Sequence, residues 1–195
     1  MYAPAPDDES TTLVGYVDQQ LEALRASVHG LTEEQARSTP CRSALSLAGL
    51  LKHVTRGMEG AVALLAGEER VLDAEAYAAY QAAFSLTDDE SAAGVLEAFD
   101  AARPRYLAAL RAADPDAERL EPPSPWHGIT EPMPARTRYY LTHQVEEMAR
   151  HAGHADILRE QVDGEAVPRL VLSRLGAPAN AFFQPYVAAP GTLDA

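Results

Sequence analysis

Apolar residues recur at three- and four-residue spacing along most of the chain, a pattern that predicts amphipathic helices rather than strands. No stretch alternates convincingly as a half-buried strand would. The pattern predicts four long helices, at about 11–28, 47–66, 88–113 and 136–162. Four long helices joined with one long crossover are typical of an all-α, up-and-down four-helix bundle.

Residues with strong local preferences mark the predicted helix ends. Ser46 is placed as the N-cap of the second long helix, Gly67 follows its last turn, and Asp163 with Gly164 stops the fourth long helix. Pro104 lies inside the third, which predicts either a kink or two helices meeting there. Six prolines between 114 and 134 predict an extended loop before the fourth long helix. A loose helix or an ordered crossover is expected at 73–84, and a last short helix at 165–175.

The fourth long helix carries an unusual concentration of histidine beside its apolar stripe. The stripe predicted to be buried consists of Tyr140, Leu141, Val145, Met148, Ala152, Ile157 and Leu158. It leaves His143, Glu147, His151 and His154 on an adjoining strip. Positions four residues apart point about 40° from one another, so two such side chains can bind one cation, as in H-E-x-x-H zinc sites. A solvated strip with incidental histidines is the alternative reading.

His53, in the second long helix, is the third candidate ligand. Gly49, Gly57 and Gly60 surround it on the same strip, although each glycine costs a helix about 1 kcal/mol relative to alanine. Something is therefore expected to approach this strip closely, either another backbone or a ligand. Tight helix packing without a ligand explains the glycines nearly as well.

Composition and charge narrow the classes of function. At 195 residues the chain is expected to be one domain with an extended tail from about 176 to 195. The net charge of −13 opposes nucleic-acid binding. No apolar run is long enough for a membrane helix, and the first residues do not resemble a signal peptide, so a cytoplasmic protein without a membrane partner is expected.

The single cysteine, Cys41, excludes an intramolecular disulfide and has no neighbouring base that would make it a nucleophile. Trp126 and His127, in the proline loop, are candidates for a pocket mouth.

Two segments carry a resemblance to a known superfamily. The two segments that carry the likeness are LVGYVDQQLEALRASVHGLTEEQARSTPCRSALSLAGLLKHV and the distant HQVEEMARHAGHADILREQVDG. The chain resembles the DinB-like four-helix metalloproteins, whose fold is called the DinB/YfiT-like metalloenzyme fold. It is most similar to their actinobacterial "mini-circle protein" branch. The likeness extends from about residue 12 to 185 and rests mainly on "GLLKH" and "E..RH.GH.D.LRE".

The resemblance implies a site and a chemistry. Relatives bind one divalent ion through a helix-two histidine and an i, i+4 pair, which here are His53, Glu147 and His151. Many relatives have histidine where this chain has Glu147, but the mycothiol-dependent maleylpyruvate isomerases share the glutamate. The mixed set favours Zn²⁺ and leaves Ni²⁺ and Fe²⁺ open. His143 and His154 do not match the family's ligands.

The expected function is that of a metal-dependent transferase which joins a low-molecular-weight thiol, mycothiol first, to a small electrophile. Arg150, Arg56 and Arg138 are candidates for binding the thiol co-substrate. A mycothiol-dependent isomerase, a hydrolase that uses metal-bound water, and a non-catalytic metal-binding stress protein are the alternatives. A homodimer stays open.

Overall fold

Helices dominate the computed structural model, which describes residues 4–68, 73–124 and 128–194. Within these ranges there are seven helices and one small sheet. The helices are α1 (Glu9–Ala26), α2 (Glu33–Arg37), α3 (Leu47–Leu65), α4 (Ala74–Ala82), α5 (Ala92–Ala112), α6 (Thr137–Asp163) and α7 (Val167–Arg174). The predicted all-α class is confirmed.

Local signals set most helix ends as the sequence predicts. The Ser46 side chain accepts a hydrogen bond from the backbone N–H of Gly49, and Gly164 ends α6 with a φ of 81°. α5 continues through Pro104 as one helix, so the two-helix alternative is wrong. Phe99 and Tyr106, on either side of the proline, are both fully buried. Their packing offsets the cost of about 3 kcal/mol that an interior proline imposes.

The proline loop before α6 is more ordered than the sequence predicts. It contains two antiparallel strands, β1 (Glu118–Glu121) and β2 (Met133–Arg136), the second of which leads directly into α6. Trp126 and His127, the candidates for a pocket mouth, lie outside the described residues. The described parts of this segment therefore pair as two short strands between α5 and α6.

Ion pairs establish that α1 and α5 are antiparallel, whereas α3 and α5 are parallel. Arg25 of α1 bonds to Asp100 of α5, and Arg103, further along α5, bonds to the earlier Asp18. At the start of α3, Lys52 contacts Glu90 just before α5, at 2.6 Å. The parallel pair requires the predicted long crossover, which runs between α3 and α5 and carries α4.

Arg159 and the C-terminal tail join α6 to the end of α1. Arg159 is fully buried, and it donates hydrogen bonds to the backbone carbonyls of Ser27 and His29, at 2.9 and 2.7 Å. α6 therefore runs parallel to α1, and the four long helices point up, down, down and up in chain order. The tail returns to the same place, where the backbone N–H of Leu193 donates to the carbonyl of Leu31 at 2.8 Å.

The core lies between the four long helices. Its largest fully buried apolar side chains include Leu21, Met58, Phe99, Tyr106 and Leu110. A buried polar contact crosses it, where the Tyr106 hydroxyl donates to the side-chain oxygen of Gln144 at 2.7 Å. Among the described helices, none is both long enough and apolar enough to cross a bilayer.

Two glycines of α3 should respond in opposite directions to alanine. A Cβ on Gly49 would lie 2.0 Å from the carbonyl oxygen of Phe84, whereas one on Gly60 would meet nothing within 4 Å. We expect Gly49→Ala to destabilise the protein by about 1–3 kcal/mol, because the crossover must move. Gly60→Ala should stabilise it by roughly 0.5–1 kcal/mol through helix propensity. Urea unfolding of the two variants measures both changes, and equal shifts would contradict this account of the crossover.

Candidate metal centre

Two histidines from different helices meet at one level of the bundle. His53 is in the first half of α3, and His151 is in the second half of α6, which runs in the opposite direction. Their ring centroids are 4.9 Å apart, with the planes at 70°. Periodicity alone could not predict this meeting, because it depends on how the two helices pack.

The Glu147 carboxylate lies one helical turn before His151 and faces two imidazoles. Its Oε2 is 3.7 Å from Nε2 of His151, and its Oε1 is 3.8 Å from Nε2 of His143. Both distances exceed that of a normal hydrogen bond. About 3.3 Å separates two ligand atoms of a tetrahedral zinc site, so the spacing between Glu147 and His151 is close to what an ion between them requires.

His151 is the most enclosed of the three predicted ligands. Its side chain is 12% exposed, and its Nδ1 is buried without a hydrogen-bond partner among the described residues. Burial, reinforced by the nearby His53, His154 and Arg150, lowers the pKa of His151 to about 4. Burial also lowers the pKa of His53. Both imidazoles are therefore neutral near pH 7, which is the form that binds metal ions.

A second group of ligand types lies on the exposed side of α6. One possible ligand atom from each of His143, Glu146 and Glu147 lies within 4.8 Å of the other two. Among the described residues, this group meets that distance, whereas the predicted set of His53, Glu147 and His151 does not. The sequence assigned no ligand role to His143. The His143 and Glu146 side chains are nearly half exposed, and Glu146 already contacts the guanidinium of Arg150. Water and Arg150 therefore compete with any cation for this group.

Aromatic rings from the crossover cover His53. Phe84 stacks on the imidazole with a centroid distance of 3.9 Å and an angle of 17°, and the Tyr80 ring meets it edge-on at 5.4 Å. Sequence reasoning missed both residues. They lie in an alanine-rich segment without a clear apolar period, so no local pattern pointed to them.

The glycine strip beside His53 has two different explanations. Gly49 permits the close approach of another backbone, since the Phe84 carbonyl occupies the place of a side chain. Gly57 and Gly60 face open space, because a Cβ on either would meet nothing within 4 Å. The predicted close approach is thus confirmed at Gly49 alone.

The three arginines that were candidates for thiol binding differ in position. Arg56 follows His53 by one turn and donates to the carbonyl of Ala79 at 3.0 Å, and Arg150 precedes His151. Arg138 is 13 residues before His151, which corresponds to about 20 Å along the helix. Its guanidinium pairs with Asp116 at 2.7 Å. This position favours a structural role for Arg138.

Cys41 does not belong to the cluster. Its thiol is free and half-buried, and the side chain packs against the hydrophobic core. The described residues place no imidazole or carboxylate in contact with it. Its surroundings match those of a small packing residue.

Together these features define an all-α bundle with a histidine-rich centre between two of its long helices. The sequence model of the mycothiol-S-transferase family, abbreviated MST, matches residues 12–164. The chain belongs to this family, and the resemblance to DinB-like proteins related to mycothiol enzymes is confirmed. The membership supports an S-transferase function related to mycothiol. A search of curated proteins finds no significant match.

Proposed function

We propose that the protein is a metal-dependent transferase that joins the sulfur of mycothiol to a small electrophile. His53, Glu147 and His151 would hold the divalent ion, with Zn²⁺ as the first candidate and Ni²⁺ or Fe²⁺ as alternatives. The observation that carries the proposal is the approach of two neutral imidazoles from different helices, 4.9 Å apart, beside a carboxylate. Membership of the mycothiol-S-transferase family supports the choice of thiol.

The donor set fits such an ion on two grounds. Two imidazoles and one carboxylate are common zinc ligands, and three protein ligands leave a coordination position open. Oε2 of Glu147 and Nε2 of His151 are 3.7 Å apart, close to the separation of about 3.3 Å between two ligand atoms of a tetrahedral zinc site. When bound, the ion would lower the pKa of a thiol beside it, so that the nucleophilic thiolate predominates near neutral pH.

The remaining groups would serve the co-substrate. Arg56 and Arg150 flank the two histidines and offer hydrogen-bond donors to a polar thiol such as mycothiol. During transfer, the sulfur forms a bond to carbon of the electrophile and the thiol proton is lost. The electrophile then either releases a leaving group with its electron pair or, if it is an activated double bond, takes up a proton. The chain itself supplies no nucleophile, which agrees with the packing of Cys41.

The proposal is tested with zinc-loaded protein, mycothiol and a panel of alkylating and Michael-type electrophiles, with products identified by mass spectrometry. We expect adducts with the combined mass of the thiol and the electrophile fragment. Cys41→Ser should form them at nearly the wild-type rate, because the sulfur comes from the co-substrate. Loss of turnover in Cys41→Ser, with folding and zinc content intact, would assign the thiolate to the protein. Isomerised or hydrolysed products without sulfur would favour the isomerase or the hydrolase, and zinc binding without any product would favour a non-catalytic protein.

Replacing Glu147 with histidine should retain the ion and change the rate. Imidazole binds zinc as well as a carboxylate does, but the substitution removes a negative charge and makes the site more positive by one unit. A more positive site acidifies the thiol further, so the rising limb of kcat/KM against pH should move to lower pH. Zinc content and the pH profile measure the two effects. A variant that loses zinc would show that the carboxylate itself is essential.

A further inference from the structure

The His53 imidazole is held by aromatic rings in place of hydrogen bonds. Phe84 stacks on one face, and Tyr80 meets it edge-on. Among the described residues, no hydrogen bond reaches the His53 ring. A histidine that binds a metal usually has its other ring nitrogen fixed by a hydrogen bond, which sets the orientation of the ring. At His53, the stacked Phe84 ring is the contact that can set the orientation of the imidazole.

The Phe84 segment is itself fixed to the helix that carries His53. The carbonyl oxygen of Phe84 lies only 2.0 Å from the place that a Cβ of residue 49 would take. Gly49 therefore allows the segment to contact α3 directly. The buried ammonium of Lys52 donates to the carbonyl of Ser85 at 2.9 Å. Gly49 and Lys52 lie within one turn of His53. The position of the Phe84 ring is therefore tied to the backbone around the imidazole.

Stacking on Phe84 limits rotation about the terminal side-chain torsion of His53, which sets the direction of the ring nitrogens. The terminal torsion of histidine has a broad energy profile, so an uncontacted ring turns easily. A phenyl ring at a centroid distance of 3.9 Å, nearly parallel to the imidazole, blocks that rotation. Although α4 has no buried residues, hydrogen bonds from Lys52 to the Ser85 carbonyl and from Arg56 to the Ala79 carbonyl hold the crossover against this part of α3.

We propose that Phe84 is a positioning residue that holds the His53 ring in the orientation for ion binding. This inference rests on the proposed function, since it assumes that His53 is a ligand. It predicts that ion affinity depends on a residue that does not touch the ion. An aliphatic residue of similar volume cannot replace Phe84, whereas another aromatic ring can.

The test compares Phe84→Leu and Phe84→Tyr by zinc titration against a chromophoric chelator. We expect Phe84→Leu to weaken zinc affinity by about tenfold or more, the range seen when a group that orients a metal ligand is removed. Phe84→Tyr should bind zinc nearly as the wild type does. The matched control is Tyr77→Leu, because Tyr77 is an exposed aromatic residue of the same segment that makes no ring contact with His53. It should leave the affinity unchanged. If Phe84→Leu does not fold, Phe84→Met replaces it.

Proton NMR of the metal-free protein supplies a second readout. The ring current of Phe84 should shift the His53 ring protons upfield in the wild type and in Phe84→Tyr, and the shift should disappear in Phe84→Leu. If the wild type binds zinc, His151→Ala does not, and Phe84→Leu binds it as tightly as the wild type, the positioning role is overturned while the proposed function stands. If the wild type binds no zinc, the proposed function and this inference both fall.

Discussion

His151→Ala should lose both the bound ion and sulfur transfer, whereas His143→Ala should keep both. The two histidines flank the same carboxylate, at 3.7 and 3.8 Å from its oxygens. Only His151 also meets His53, and only His151 is enclosed. Removing it leaves two candidate ligands, Glu147 and His53, which hold a catalytic ion poorly.

The expected size of the effect separates the two candidate groups on α6. We expect zinc in purified His151→Ala to fall from near one equivalent to a trace, and the rate of adduct formation to fall by at least about a hundredfold. His143→Ala should stay within about threefold of the wild type, because its imidazole lies on the solvent side of the carboxylate. Elemental analysis and the mycothiol assay measure the two quantities. The reverse pattern would move the site to His143, Glu146 and Glu147.

Arg159→Met should produce the largest loss of stability from a residue away from the metal centre. The guanidinium is fully buried and makes two bonds to the carbonyls of Ser27 and His29 and two to the carboxylate of Asp163. Methionine fills the space but leaves the two carbonyls and Oδ2 of Asp163 without a donor, while Oδ1 keeps the backbone N–H of Glu165. We expect the free energy of unfolding to fall by about 3 kcal/mol, or roughly 6–12 °C in Tm for a chain of this size.

Arg105→Met is the matched control for this change. Arg105 is also a helical arginine with an acidic neighbour, but its side chain is 63% exposed and the nearest oxygen of Glu59 is 3.8 Å away. Such pairs contribute little, so the control should change stability by less than about 0.5 kcal/mol. Thermal unfolding followed by circular dichroism compares the two variants. Equal losses would show that burial of Arg159 does not decide its contribution.

The helices could be predicted from sequence because their determinants are local. Apolar spacing, the Ser46 cap and the glycine at 164 act within one or two turns, and the structure confirms all three. The continuity of α5 through Pro104 could not be predicted in the same way. It depends on how strongly Phe99 and Tyr106 pack against other helices. The rule that proline breaks a helix considers only the helix itself and not this packing.

Long-range contacts explain the remaining differences. Ile157 was assigned to the buried stripe of α6 but is 57% exposed, whereas Arg159, two residues later, is fully buried. The residues that follow α1 supply the carbonyls of Ser27 and His29, and the returning tail supplies the Tyr186 ring, whose centroid is 5.7 Å from the guanidinium carbon. Periodicity cannot anticipate these contacts. Phe84 and Tyr80 were missed for the same reason, because their partner His53 belongs to a different helix.

The i, i+4 pair on α6 followed from the helical repeat alone, but its partner did not. The glycine strip marked His53 as a third candidate ligand, and the resemblance to DinB-like proteins implied that it joins Glu147 and His151 at one ion. The structure brings the two histidine rings together and also reveals the competing group around His143. Which of the two groups binds the ion stays a prediction.

The most direct measurement of the central claim is the dependence of adduct formation on the bound ion. Wild-type protein is assayed with mycothiol and the best electrophile of the panel before chelation, after exhaustive chelation and after one equivalent of zinc is restored. We predict that the rate falls to the uncatalysed level on chelation and returns with zinc, while circular dichroism stays unchanged throughout. An undiminished rate in protein shown to be free of metal would contradict the account.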